Sequence, residues 1–152
     1  MSMGDTYEFM DYIAMNCQFW PSQSDDEIIQ HLEKFHRSGV HVDNYLGVGS
    51  GGPGIYLAMV CDRPKVVEWF IDHGADVNQY VSDAGMSILP CAIDQGMDEI
   101  IIRKLLEAGA DPNAPEDEEH PLEIAQRVRK YDADEICELL IEYGADQTFL
   151  PF

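Results

Sequence analysis

The chain has 152 residues, of which 45% are apolar, 10% aromatic and 25% charged, enough for one compact domain or one short array that buries roughly 70% of its unfolded surface. With 12 Gly and 8 Pro, the composition excludes collagen, coiled coil and disorder. The 29 Asp and Glu against 9 Lys and Arg give a net charge of −20, which repels phosphate and argues against direct binding to DNA, RNA or an anionic membrane. A basic protein is the natural counterpart of such a surface, and solubility alone is the simpler reading.

In chain order, residues 7–20 predict a first helix with apolar Phe9, Met10, Ile13, Ala14 and Cys17, broken by Pro21-Ser22-Gln23-Ser24. Asp25-Asp26-Glu27 then places acid at the N-terminal end of a helix over 28–37, where the helix dipole favours it. The stretch Gly47-Val48-Gly49-Ser50-Gly51-Gly52-Pro53-Gly54 reads as a loop tip. Its GxGxxG spacing lacks a following Lys-Ser/Thr and a preceding buried strand, and the surrounding acid opposes phosphate. Short helical signals follow in Pro53-Gly54-Ile55-Tyr56-Leu57-Ala58, in Gly85-Met86-Ser87-Ile88-Leu89-Pro90-Cys91-Ala92 with Ser87 as N-cap, and in Glu119-His120-Pro121-Leu122-Glu123-Ile124-Ala125. Each precedes a longer apolar-periodic stretch, at 66–71, 100–106 and 136–141.

Behind each long stretch the same loop recurs: Gly74-Ala75-Asp76-Val77-Asn78, Gly109-Ala110-Asp111-Pro112-Asn113 and Gly144-Ala145-Asp146-Gln147-Thr148, 35 residues apart both times. Glycine there can adopt the left-handed conformation that closes a helix. Gly39-Val40-His41-Val42-Asp43-Asn44 stands in the equivalent place of a more divergent first unit.

Short helix, turn, long helix and Gly-Ala-Asp loop together resemble the ankyrin repeat. The short-helix signature is the weaker part. Tyr56, Pro90 and Glu123 stand where that family has His, and only Pro121 matches its proline. From Ala58 to Gly74 the spacing equals the family's 16, from Ala92 to Gly109 it is one longer, and from Ala125 to Gly144 three longer, with the surplus assigned to residues 129–133. The resemblance implies an all-α solenoid of about four stacked helix pairs spanning residues 1–152. Residues 5–44 form a capping unit, 45–78, 79–113 and 114–148 the repeats, and 149–152 a tail.

The same resemblance implies a non-enzymatic module that binds a protein on loop tips and short-helix faces of a concave, acidic surface. By position, the contacts are Tyr45, Val60, Cys61, Tyr80, Ser82, Asp83, Met86, Asp94, Gln95, Glu116, Asp117, Glu118, Glu119 and Arg127. Ankyrin-like proteins occur in bacterial toxin–immunity pairs, so the concrete expectation is an inhibitor that neutralises a basic toxin. A signalling or host-targeted adaptor and a regulatory enzyme subunit are the alternatives. The loop Glu116-Asp117-Glu118-Glu119 is either a solvated loop or a docking patch for Lys and Arg; it lacks the alternation and Gly of a calcium loop.

No catalytic, cofactor or metal site is expected. The sequence shows no Gly-x-Ser-x-Gly elbow, and His31, His36, His41, His73 and His120 are scattered enough to read as solvated. Cys17, Cys61, Cys91 and Cys137 include no CxxC pair, no basic and apolar leader opens the chain, and the longest apolar run, 55–61, is seven residues. A reduced, cytoplasmic protein, monomeric when free, follows as the expectation. The bases near 34–37, 63–65, 103–104 and 127–130 are expected to neutralise neighbouring acids.

Overall fold

The computed structural model describes residues 22–44, 53–80, 87–115, 118–128 and 133–149, together with Gly4. The expected helix at 7–20 and the Gly-rich stretch at 47–52 lie outside the described residues. The chain divides into two compact units, residues 1–76 and 77–152. Among the described residues there are seven α-helices and one short 3-10 helix; the regular structure is all-α.

In the first unit, α1 spans Asp25–Arg37. It begins where Ser24 and Glu27 satisfy each other's backbone: the Glu27 N–H donates to Ser24 Oγ (3.2 Å) and the Ser24 N–H to Glu27 Oε2 (2.8 Å). Acid fills its first turn, Lys34, His36 and Arg37 its last, and Ile28 and Leu32 are buried. Helix α2, Gly54–Val60, follows Pro53 and buries Ile55, Leu57, Ala58 and Met59. Helix α3, Pro64–Asp72, starts on a proline, whose missing N–H would have no intrahelical partner there. It packs against both α1 and α2 through Val66, Val67, Trp69 and Phe70.

The second unit holds two helix pairs. An antiparallel bridge between Tyr80 and Ser87 leads into α4, Ile88–Asp94, in which every residue from Ile88 to Ile93 is buried. Ser87 is the N-cap by backbone conformation, as its sequence suggests, but its side chain makes no capping bond. Helix α5, Glu99–Glu107, is capped by Asp98, whose Oδ1 accepts from the Ile101 N–H at 3.1 Å. Helices α6, Pro121–Arg127, and α7, Ala133–Glu142, form the next pair. Within this unit α4 packs on α5 and α6, α7 on α5 and α6, and the 3-10 helix Gln147–Phe149 on α6. The two pairs therefore stack short helix on short helix and long on long.

The described ends of the paired helices move apart along the chain, from Val60 and Pro64 to Asp94 and Glu99 to Arg127 and Ala133, and α7 is one residue longer than α3 and α5. Together these absorb the longer spacings read in the sequence. Each long helix closes on a glycine with positive φ: +83° at Gly74, +98° at Gly109 and +102° at Gly144. The next N–H then returns to the helix, as when Ala110 donates to the Leu105 carbonyl at 3.0 Å.

The last residue of each Gly-Ala-Asp-x-Asn loop ties its loop to the next. Asn78 Nδ2 donates to the Gly109 carbonyl (2.9 Å), and its Oδ1 accepts from the Asp111 N–H (2.9 Å). Asn113 repeats both bonds, to the Gly144 carbonyl (3.1 Å) and from the Asp146 N–H (2.7 Å). In the first unit Asp43 takes this role as an acceptor, receiving the Asp76 N–H at 3.0 and 3.2 Å. The final copy has Thr148 instead, and its N–H and hydroxyl bond back to Asp146.

Candidate interaction surface

Of the contact positions expected from sequence, Tyr45, Ser82, Asp83, Met86, Glu116 and Asp117 lie outside the described residues. In the first unit Val60, the last residue of α2, is 40% exposed, and Cys61 beyond it is half-buried. In the second unit Tyr80 is 66% exposed beside its bridge to Ser87. Asp94 and Gln95 stand at the exposed end of the otherwise buried α4, Glu118 and Glu119 precede α6, and Arg127 ends it.

Three of these residues meet. Arg127 Nη2 donates to Asp94 Oδ1 at 2.8 Å and to Glu119 Oε2 at 3.0 Å, and Nε donates to Glu119 Oε1 at 3.1 Å. The bonds from Glu119 first, then Asp94, push the guanidinium further up from its ordinary range. All three side chains are partly solvated, so the pairs hold geometry more than stability, about 0–1 kcal/mol each. The forked guanidinium fixes the ends of two consecutive short helices together and leaves this patch net negative. Other bases are absorbed in the same way within their own units. Arg63 lies 3.0 Å from Asp25, Arg37 3.7 Å from Glu33, and Arg103 2.7 Å from Glu99 and 3.9 Å from Glu142.

The histidines correct the sequence reading in part. His31, His36 and His41 are exposed, but His73 is half-buried and His120 only 3% exposed. In the first unit the Trp69 indole donates to Glu33 Oε1 (2.7 Å), and His73 stacks on Trp69 at 4.1 Å with its Nε2 3.2 Å from the same oxygen. The indole bond holds the Glu33 carboxyl below its usual range, against the opposing effect of burial. Among the described residues, no group of three or more His, Cys, Asp or Glu is placed to hold a metal ion.

His120 is the N-cap of α6, in place of the usual hydroxyl or carboxylate. Its Nδ1 accepts from the Leu122 N–H (3.2 Å), Nε2 donates to Asn113 Oδ1 (2.8 Å), and its backbone N–H donates to Glu123 Oε2 (2.8 Å). That pattern requires the neutral Nε2–H tautomer, because a proton on Nδ1 removes the capping acceptor. Burial lowers the His120 pKa, against the opposing pull of Glu123, Asp146 and Asp111. With the folded pKa below an unfolded value of about 6.5, the unfolded chain binds the proton first as pH falls. The contribution of His120 is therefore intact above about pH 6.5 and declines below it. We expect the stability gap between the parent chain and His120→Thr, which caps without titrating, to narrow from about pH 7.5 to 5.5. Urea midpoints measured across that range check it; a constant gap contradicts it.

Two exposed apolar side chains escaped the sequence reading, Ile100 at 61% and Phe149 at 44%. Ile100 had a legible signal: three consecutive Ile at 100–102 cannot share one face of a helix that turns about 100° per residue. Phe149 lies beyond the last repeat motif, and only the fold shows its ring stacked on His120, with centroids 4.2 Å apart and planes 4° from parallel.

No helix among the described residues is long and apolar enough to cross a membrane. No curated protein matches the chain. The family model for ankyrin repeats in three copies matches residues 55–149, well over half of the chain, and indicates a protein–protein interaction module. On that match, and on the Gly-closed helix pairs beneath it, the chain belongs to the ankyrin-repeat family.

Proposed function

We propose that this chain is a non-enzymatic binding module that holds a basic protein on its acidic short-helix ends and loops, and that it acts as an inhibitor or immunity protein neutralising a toxin. The observation that carries the reading is charge. The chain bears −20, and Arg37, Arg63, Arg103 and Arg127 each face an acid of their own unit, leaving the surface field negative. Val60 is exposed in the first unit, and Tyr80 in the second with the exposed acids Asp94 and Glu118, which supplies apolar anchors and an electrostatic rim. The toxin version draws on the occurrence of ankyrin-like proteins in bacterial toxin–immunity pairs. Tyr45, Ser82, Asp83, Met86, Glu116 and Asp117, outside the described residues, are proposed as contacts by their position in the repeat alone.

Affinity capture from the native cell, with mass-spectrometric identification, should yield a basic protein that elutes with salt and whose toxicity the chain relieves on co-expression. Stopped-flow association with that protein should slow about ten-fold or more between about 0.05 and 0.5 M salt, as screening suppresses steering. The dissociation rate should change less, since desolvated anchors set it. An acidic partner, or an association rate indifferent to salt, rejects the proposal.

A further inference from the structure

In the second unit a pocket of about 250 Å³ opens between Asn113, Pro115, Glu118, His120, Asp146 and Phe149. That volume is below the roughly 300–1,000 Å³ of small-molecule sites, and suits one side chain better than a free ligand. His120 is the buried element, its ring nitrogens committed to Leu122 and Asn113, so it contributes a neutral aromatic surface. Phe149 stacks on it while remaining 44% exposed, which leaves an aromatic shelf open to solvent. Asp146 Oδ1 accepts both the N–H (3.0 Å) and the hydroxyl (2.8 Å) of Thr148, and these bonds keep its carboxyl below the usual range and therefore ionised. Glu118 is exposed at the same opening, and the described lining residues include no Lys or Arg.

Two carboxylates beside an aromatic face are the complement of a planar cation on an apolar stem. A guanidinium stacks on aromatic rings and forks between carboxylate oxygens, whereas an ammonium is a compact, strongly hydrated point charge. We propose that this pocket receives an arginine side chain of the protein partner, with the guanidinium over Phe149 and between Glu118 and Asp146. In attributing the arginine to a protein partner, the assignment rests on the proposed function above.

NMR titration of the full chain with Nα-acetyl-arginine amide tests it. The Phe149 and His120 signals should shift saturably with the arginine amide, less with Nα-acetyl-lysine amide, and not with the neutral isostere Nα-acetyl-citrulline amide. Glu118→Gln, an exposed change that keeps the side-chain shape, and Phe149→Leu should each weaken the arginine amide three-fold or more. Equal responses to lysine or citrulline amide, or shifts spread over the acidic surface without saturation, overturn the assignment. Failure here is distinguishable from failure of the wider reading. Unperturbed Phe149 and His120 signals reject the pocket whatever the cell extract yields. Arginine binding in the pocket while no basic protein is captured rejects the toxin-inhibitor reading alone.

Discussion

Leu105→Ala should destabilise the chain by about 2–5 kcal/mol, a large share of the 5–15 kcal/mol typical of a folded domain. Leu105 is fully buried on α5, the long helix that packs on both α4 and α7, so truncation loses transfer energy and leaves a cavity where two helix pairs meet. Stacked repeats depend on such neighbour contacts, because no pair buries its apolar face alone. Glu118→Ser, in the exposed loop before α6, should stay within about 0.5 kcal/mol. Urea denaturation of the two variants measures the contrast. Equal losses would contradict a stability built from stacked helix pairs.

Asn113→Ala should cost about 2–4 kcal/mol, although the residue is exposed. It removes three side-chain bonds, to the Gly144 carbonyl, from the Asp146 N–H and from His120 Nε2, each worth about 0.5–1.5 kcal/mol. The third has a further consequence, since His120 is 3% exposed and its Nε2–H would be left without that acceptor, at about 1–3 kcal/mol. Asn78→Ala removes the two equivalent loop bonds without orphaning a buried ring, and should cost about 1–2 kcal/mol. Denaturation midpoints rank the pair, and a loss for Asn113→Ala no larger than for Asn78→Ala would remove His120 from the account.

The repeat itself was legible because its determinants are local. A glycine that must reach positive φ, a proline at a first helical position and apolar residues at helical spacing act within a few residues of one another. Gly74, Gly109 and Gly144, Pro121, and Val66, Val67 and Phe70 behave as their spacing indicates, while Ile71 of the same expected stripe is only half-buried. The surplus assigned to residues 129–133 falls mostly on 129–132, outside the described residues, and Ala133 begins α7.

Exposure at the proposed contact positions was legible only in outline. By analogy with the family, position chose Val60, Tyr80, Asp94 and Gln95 on loops and short-helix faces. The structure exposes Val60, Asp94 and Gln95 at the ends of α2 and α4, where a short helix buried along its length meets solvent, and Tyr80 in the segment ahead of α4. What Arg127, His120 and Phe149 do was decided by tertiary structure. The partners of Arg127 lie 33 and 8 residues away, Asn113 reaches loops 31 and 33 residues on, and the Phe149 ring meets His120 only after α7 has turned the chain back. Charge and exposure at such sites depend on which side chains the stacking brings within hydrogen-bond range. Composition by itself determined that this protein is acidic, and residue spacing that it repeats. Which acids are neutralised, and which histidine is buried and must stay neutral, only the packing of one repeat on the next decided.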